Sequence, residues 1–226
     1  MRRRQDSLTM LFKPRTDILP KPQQEIWPQL APGVDLSFVL YGGTAVALHL
    51  GHRTSIDFDF FSSVALDKND IIRRFSFMAT ARVVQEETNT FVVIANMSHG
   101  SVKVSFFGGL RIGRINAPLR TQDGVLLVAS TEDLLATKLK AILDRAEAKD
   151  YLDIAALLRA DTSLPRSLAG FNLMYGRDPG LPLRAMGFFK DGDLPSLPES
   201  DRDVLRRARD SVSELPEVSI KSGSLA

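Results

Sequence analysis

Two carboxylates separated by one residue, Asp57 and Asp59, form the pattern in this sequence that most directly indicates chemistry. Residues 56–61 alternate these acids with apolar side chains, which predicts a β-strand with both carboxylates on one face. Same-face neighbours lie about 6.5 to 7 Å apart at their Cα atoms, a spacing that suits a pair of metal ions about 3.5 to 4 Å apart. Hard cations such as Mg²⁺ or Mn²⁺ prefer these oxygen ligands and would neutralise charge on phosphate oxygens during phosphoryl or nucleotidyl transfer.

A pair of glycines upstream of the acids indicates phosphate binding. Residues 37–41 predict a short strand, Gly42 and Gly43 follow it, and residues 44–50 predict a helix. Glycines let the backbone approach a triphosphate closely, and the amide groups at a helix start face an anion. The hydroxyl of Thr44, the first residue of that predicted helix, would add a hydrogen bond.

The elements that must position these residues follow from the apolar periodicity. Asp67 caps a helix that runs to Phe75, and residues 82–86, 90–97 and 102–107 predict the strands of a meander. A capping box at residues 130–133 precedes residues 134–158, which are helical throughout or with a break near Ala148. A charged helix is expected at residues 201–212.

This pattern predicts an α+β protein with a mixed sheet. We divide the chain into a lead-in segment with a short helix at residues 23–30, an α/β core, a helical C-terminal region and a loose tail. The four parts cover residues 1–32, 33–130, 131–212 and 213–226.

Two stretches of the sequence carry a family resemblance. Residues 38–62, FVLYGGTAVALHLGHRTSIDFDFFS, resemble the first motif of the AbiEii/AbiGii toxin family of nucleotidyltransferases, in the DNA polymerase β-like superfamily. Residues 131–158, TEDLLATKLKAILDRAEAKDYLDIAALL, are similar to later family motifs of a Lys-bearing helix, an Arg and a D-x-x-D. A fainter likeness covers residues 183–191, LRAMGFFKD. The resemblance implies a polymerase β-like nucleotidyltransferase core.

The implied activity is transfer of a nucleoside monophosphate from an NTP to an acceptor hydroxyl, with Mg²⁺ or Mn²⁺ as cofactor. Characterised members act as toxins of bacterial toxin–antitoxin or phage-defence systems, and some add nucleotides to the 3′ end of tRNA. The resemblance therefore implies tRNA or another RNA as acceptor and a cognate antitoxin as partner. A small-molecule acceptor would leave the first motif unchanged.

The resemblance also assigns site residues. It implies catalytic roles for Asp57, Asp59, Lys138, Asp150 and Asp153, with metal at Asp57 and Asp59. The implied nucleotide-binding residues are Gly42, Gly43, Thr44, Arg53, Ser55, Lys138 and Arg145.

Several roles remain open at this level. On an unbroken helix, Lys138, Arg145 and Lys149 would form one cationic stripe, and we expect Lys138 to reach phosphate rather than the core. Asp150 and Asp153 share a helix face. They would act either as a general base or as residues that orient Lys138 or Arg145.

Residues 52–55 leave two further questions. Arg53 would either contact phosphate or hold Asp57 or Asp59 in position. We interpret His49 and His52 as structural or solvent-exposed, since no third ligand has the spacing of a zinc site.

The main departure from the family pattern is the absence of the third carboxylate that polymerase β-like enzymes usually have. Residues 102–107, VKVSFF, place Lys103 and Ser105 where an acid is expected, and a hydroxyl is a poorer metal ligand. Three explanations stay open: Glu86 or Glu87 substitutes, a single metal suffices, or activity is lost.

Composition narrows the function classes. The 226 residues include 29 Lys and Arg against 27 Asp and Glu, so nucleic-acid contact requires a local patch, for which Arg111, Arg114 and Arg120 are candidates. No cysteine occurs, which excludes thiolate metal sites and disulfides. The basic N-terminus lacks the apolar stretch of a signal peptide, and no apolar run approaches the roughly 20 residues of a membrane span. We expect a cytoplasmic protein with no membrane partner.

Two other classes compete with the transferase hypothesis. A nucleotide- or RNA-binding protein could keep the fold without catalysis, as Ser105 suggests. The third hypothesis is a sugar-nucleotide glycosyltransferase that uses the D-x-D to bind metal. The glycine pair and the cationic helix disfavour it.

Overall fold

The structure, a computed structural model, describes residues 10–221 and 223–226. Within this part of the chain the strands are β1 Leu11–Phe12, β2 Val39–Tyr41, β3 Asp57–Phe61, β4 Arg82–Glu87, β5 Thr90–Met97, β6 Gly100–Phe107, β7 Leu119–Thr121 and β8 Leu127–Val128. The α-helices are α1 Lys21–Ile26, α2 Pro32–Asp35, α3 Gly42–Leu50, α4 Lys68–Arg74, α5 Thr131–Asp144, α6 Ala148–Arg159, α7 Leu164–Tyr175, α8 Gly180–Ala185 and α9 Glu199–Asp210. Short 3₁₀ helices cover Thr16–Ile18, Trp27–Leu30, Ser76–Ala79 and Leu194–Ser196.

The described strands form one mixed sheet in the order β1-β7-β8-β2-β3-β6-β5-β4. Strands β3 and β6 are parallel neighbours, whereas β2 and β3 are antiparallel, as are β4–β5 and β5–β6. The expected meander is therefore confirmed, together with the α+β fold. Strand β3 lies inside the sheet with a partner on each side, so its side chains are held in a rigid setting.

Alternation along β3 separates a core face from a polar face. Phe58 and Phe60 are fully buried, and Phe60 stacks on Phe106 of β6 at a centroid distance of 5.5 Å. Asp57 and Asp59 point to the opposite face, as the alternation predicts. Burial of the large aromatic rings therefore sets the register of the strand that carries the acids.

The predicted lead-in segment contributes to this core. Ile26 and Leu30 are fully buried, and Trp27 packs against Phe58 at a centroid distance of 6.4 Å. The predicted helix at residues 23–30 is an α-helix followed by a 3₁₀ turn, since Pro28 has no N–H to continue the α-helical pattern. Residues 1–9 lie outside the described residues.

The predicted tail also packs. Leu225 is fully buried, and Lys221 pairs with Arg114 in an isolated β-bridge. The expectation of a loose tail is wrong for these residues, because the side chain of Leu225 joins the main core.

The long helical stretch is broken into two helices. Residues 145–147 separate α5 from α6, and Arg145 is extended, with φ −153° and ψ 145°. Of the two alternatives, the break near Ala148 is the one observed. The Ser130 hydroxyl accepts the Asp133 N–H, so the expected N-terminal cap of α5 is confirmed.

Most other predicted elements agree within a residue or two. Asp67 caps α4 by accepting the N–H of Asp70, and Gly51 ends α3 with φ +66°. Within the described residues, no helix combines the length and apolar character that crossing a bilayer requires.

Candidate active site

A cleft of about 950 Å³ lies between the polar face of the sheet and helix α5. The sheet side contributes Asp57, Asp59, Lys103 and Ser105, and the helical side contributes residues from Thr137 to Lys149. The residues that line it on both sides include Tyr41, Gly42, Gly43, Arg53, Ser55, Asp57, Asp59, Val84, Gln85, Val92, Lys103, Ser105, Phe107, Thr137, Lys138, Ala141, Arg145 and Lys149. Most of the predicted site residues thus share one cleft, although they come from distant parts of the sequence.

The two carboxylates differ in their environment. Asp57 is 40% exposed, and its Oδ2 atom lies 3.7 Å from the Lys103 Nζ atom. Asp59 lies deeper, and burial raises the pKa of its carboxyl, opposed by the Ser105 hydroxyl and the Lys103 charge. Among the described residues, no basic group forms an ion pair with Asp59 within 4 Å.

A half-buried carboxylate without a cationic partner suits a divalent cation. Asp57 and Asp59 supply hard oxygen ligands on one face, which Mg²⁺ and Mn²⁺ prefer. No cluster of three or more His, Asp or Glu able to hold a metal occurs in residues 10–221 and 223–226. The donors therefore fit a cation that keeps water or phosphate oxygens in its remaining positions.

Gly42 permits the close contact between the start of α3 and Asp59. Its φ is +75°, and a Cβ at this position would lie 2.6 Å from Asp59 Oδ2. Gly43 has a similar role toward Arg53, because its Cβ would collide with the guanidinium and lie 3.1 Å from Ser55 Oγ. No side chain caps the start of helix α3, so its first backbone amides, at the cleft-lining Gly42 and Gly43, are not occupied by a cap.

Thr44 occupies a different position from the one expected. It is 1% exposed and does not line the cleft. Its hydroxyl donates to the Asp57 backbone carbonyl and lies 2.9 Å from Ser55 Oγ. The prediction of a direct nucleotide contact is therefore corrected: Thr44 ties the start of α3 to β3 and fixes the position of Asp57.

Lys138 lies at the centre of a buried ionic network. Its Nζ atom is 2.7 Å from Asp150 Oδ1 and 2.6 Å from Asp153 Oδ2, and both carboxylates are fully buried. Opposite charges satisfy one another here without solvent. The cationic stripe of Lys138, Arg145 and Lys149 expected on an unbroken helix does not form, because Lys138 is only 5% exposed and the helix breaks before Lys149.

The helix break makes this network geometrically achievable. Residues 138 and 150 would be about 18 Å apart along an unbroken helix. With the break, α6 turns back on α5, and Arg145 in the connection donates from Nε to Asp150 Oδ2 at 2.7 Å. Asp150 thus holds both Lys138 and Arg145, the arrangement that the orienting alternative predicts.

Arg53 completes the network from the other side of the cleft. Its Nε and one terminal nitrogen donate to the two Asp153 oxygens at 2.7 and 2.8 Å. Neither Asp57 nor Asp59 is its partner, so that alternative is wrong. The planar guanidinium is held by a bidentate pair and still lines the cleft.

His52 is the network residue that sequence reasoning missed. Its Nε2 atom lies 2.8 Å from Asp153 Oδ1, and its side chain is 14% exposed. His52 is structural, as expected, but the spacing of residues in the sequence could not predict its contact with a carboxylate 101 residues away. His49 is also structural, with Nε2 3.0 Å from the Ala129 carbonyl.

Comparison with known proteins decides the family. A family model described as nucleotidyl transferase AbiEii toxin, type IV toxin–antitoxin system, matches residues 30–221. The chain belongs to the AbiEii nucleotidyl transferase toxin family. A similar protein is an uncharacterized protein of Aquifex aeolicus, 30% identical over 144 residues, which cover 62% of this chain and 68% of the relative.

In this AbiEii family member, Ser105 lies beside the acids as the sequence predicts. Parallel pairing of β3 and β6 aligns Asp57 with Lys103 and Asp59 with Ser105. The substitutes considered for a third acid do not reach the cleft. Glu86 pairs with Lys68 at 3.2 Å, and Glu87 accepts a hydrogen bond from Gln85.

The proposed basic patch of this AbiEii protein is also revised. Arg114 is 8% exposed and donates to the backbone oxygen of Ala226, so it cannot present its charge to a polyanion. Arg120 donates to the Gly124 carbonyl at its own turn. Arg145 and Lys149 line the cleft and are about half exposed, although they form ion pairs with Asp150 and Glu147.

Proposed function

We propose that this chain transfers a nucleoside monophosphate from an NTP to an acceptor hydroxyl, with a divalent cation, Mg²⁺ or Mn²⁺, held by Asp57 and Asp59. The observation that carries the proposal is the Asp59 carboxylate, which lies in the cleft without an ion-pair partner among the described residues, against Gly42. The positive groups that a triphosphate requires line the opposite wall. Membership of a nucleotidyl transferase family agrees with this chemistry.

Each group of cleft residues would have its own role in binding the nucleotide. Gly42 and Gly43 let the phosphates approach the backbone, while Arg53 and Arg145 provide charge at the cleft wall. Asp150 and Asp153 hold these cations and Lys138 in place before substrate arrives. Such preorganisation lowers the barrier because the charges need not reorient during the reaction.

The reaction forms a bond between the acceptor oxygen and the α-phosphorus and breaks the bond from that phosphorus to the bridging oxygen. Pyrophosphate leaves, and the hydroxyl proton passes to solvent. The bound cation would neutralise the charge that develops on the phosphate oxygens.

We further propose an RNA acceptor, with the 3′ end of tRNA as the first candidate, a cognate antitoxin as partner and a cytoplasmic location. The toxin–antitoxin description of the family supports this context. The half-exposed Arg145 and Lys149 at the cleft mouth could receive the acceptor's phosphates.

The test is incorporation of label from each α-labelled NTP into total tRNA with Mg²⁺ or Mn²⁺. We expect incorporation with the wild-type protein and a loss of at least about 100-fold in Asp57→Asn and Asp59→Asn. Asp203→Asn is a matched control, since Asp203 is exposed on α9, where it pairs with Arg206, and does not line the cleft. Full activity in either site variant would refute the metal assignment.

A second candidate function is nucleotide or RNA binding without transfer, which Ser105 opposite Asp59 favours. Calorimetry with each NTP and Mg²⁺ separates the two. Binding without incorporation into any acceptor would support the second candidate.

A further inference from the structure

An ammonium group lies directly beside the two carboxylates. Lys103 aligns with Asp57 across β3 and β6, and its Nζ atom lies 3.7 Å from Asp57 Oδ2. Both side chains line the cleft, and that of Lys103 is 45% exposed. The Lys103 ammonium is therefore accessible to a ligand that binds at Asp57 and Asp59, and it is not buried in the core.

The surrounding sheet supplies no further anionic ligand. Ser105 is the neighbour of Asp59 on β6, and the residues aligned with Lys103 and Ser105 on β5 are Ile94 and Val92. The described residues contain no metal-binding cluster of three acids or histidines. Asp57 and Asp59 thus provide two negative charges in total.

Charge balance on this face limits the number of cations. Before a nucleotide binds, two divalent ions would bring four positive charges to two carboxylates, with the Lys103 ammonium as a fifth. Two such ions are ordinarily only about 3.5 to 4 Å apart, so their repulsion requires bridging anions. One divalent ion together with Lys103 brings three positive charges to the same two acids, which is far closer to neutrality.

The placement of Lys103 also fits the geometry of the displacement. Gly42 and Gly43 follow β2, on one side of β3, whereas Lys103 lies on β6, on the other side. Attacking and leaving oxygens stand roughly in line on opposite sides of the phosphorus. With the leaving phosphates at the glycines, Lys103 faces the incoming acceptor oxygen.

We propose that Lys103 replaces a second metal ion: the site binds one divalent cation between Asp57 and Asp59, and the Lys103 ammonium stabilises the attacking acceptor oxygen. This inference rests on the proposed nucleotidyl transfer. A compact ammonium is a suitable point charge for an oxyanion and forms no covalent bond in the step. Lys103 is thereby a further catalytic residue.

The experiment is a Mn²⁺ titration of the full chain followed by electron paramagnetic resonance, with no nucleotide present. We expect one Mn²⁺ per chain, lost in Asp59→Asn. In Lys103→Met the stoichiometry stays one and the affinity rises about tenfold, because a partly screened repulsion is removed. Lys103→Glu, which adds an acid at an exposed position, should bind a second Mn²⁺.

Kinetics provide the second measurement. Lys103→Met should lower kcat by about 100-fold with little change in KM for the NTP, and Lys103→Arg should recover part of kcat because it keeps the charge. Lys21→Met is the matched control, since Lys21 is exposed at the start of α1 and does not line the cleft. It should leave both measurements unchanged.

Three results would overturn the inference: two Mn²⁺ ions bound by the wild-type chain, no Mn²⁺ bound, or a Lys103→Met variant with unaltered affinity and kcat. Absence of transfer with every NTP and acceptor would instead refute the proposed function. In that case the Mn²⁺ stoichiometry and its response to Lys103→Met and Lys103→Glu still decide whether Lys103 occupies the place of a second ion.

Discussion

The Nζ atom of Lys138 lies 2.7 Å from Oδ1 of Asp150, in a pair that is almost completely shielded from solvent. The two residues are on consecutive helices and meet only because the chain breaks between them. Their contact anchors the cationic wall of the cleft to the helical region. Lys138, which the sequence predicts to contact phosphate, thus lines the cleft as a member of a buried ion pair.

Removing one member of this pair should destabilise the protein. Lys138→Met leaves buried carboxylates with fewer partners, so we expect it to lower the free energy of unfolding by about 3 to 5 kcal/mol. We expect a loss of the same size for Asp150→Asn. Lys138→Met/Asp150→Asn should cost clearly less than the sum of the single changes, because it removes both charges. Urea denaturation followed by circular dichroism measures this, and additive single effects would contradict direct coupling.

Asp153 should contribute to acid sensitivity. Burial alone would raise its pKa, but hydrogen bonds from His52 and Arg53 and the charge of Lys138 hold the pKa of Asp153 well below its ordinary value. A lowered folded-state pKa stabilises the protein above the unfolded pKa of about 3.9, and this stabilisation is lost as pH falls below it.

The check is the pH dependence of the free energy of unfolding between pH 3 and pH 7. Wild-type stability should drop more steeply toward acid than that of Asp153→Asn, which starts lower at pH 7. Asp203→Asn, at an exposed ion pair, serves as control. Parallel curves for the wild-type protein and Asp153→Asn would contradict the assignment.

Asp59 should show the opposite behaviour. Because burial raises the pKa of its carboxyl, the folded state holds a proton more tightly than the unfolded chain. Stability from this group is complete below the unfolded pKa and is lost as pH rises through the folded pKa. Asp59→Asn should therefore raise Tm at neutral pH while abolishing transfer, a combination that thermal melting and the incorporation assay detect together. A lowered Tm would indicate that the carboxylate has a stabilising partner.

Gly42 offers a test of the close approach to Asp59. Gly42→Ala should cost about 1 to 2 kcal/mol in stability from the positive φ and should also impair transfer, since its Cβ would lie 2.6 Å from Asp59 Oδ2. Gly176 is the matched control. Its φ is +61° and a Cβ there meets nothing within 4 Å, so Gly176→Ala has the backbone cost alone.

Thermal melting and the incorporation assay on both variants separate the two effects. We expect both variants to lose stability, Gly42→Ala at least as much as Gly176→Ala, but a fall in transfer only for Gly42→Ala. Equal transfer in the two variants would show that the approach of Gly42 to Asp59 is unimportant for activity.

Local patterns in the sequence determined much of this protein. Alternation of Asp57 and Asp59 with Phe58 and Phe60 set the face of the acids, because large aromatic rings are strongly stabilised by burial. The glycine pair and the cap at Ser130 likewise depend on neighbours within a few residues. The resemblance to the nucleotidyltransferase family added the later residues to the same site.

Only the tertiary structure decided which charges pair. Arg53 lies 100 residues from Asp153, and the choice of that partner over Asp57 or Asp59 depends on how α6 packs against α3. Lys138 became buried for the same reason, since the break at residues 145–147 folds α6 back onto it. Ion pairs act over a few ångströms in space and leave no periodic signal along the chain, whereas side-chain alternation within a strand is visible in the sequence itself.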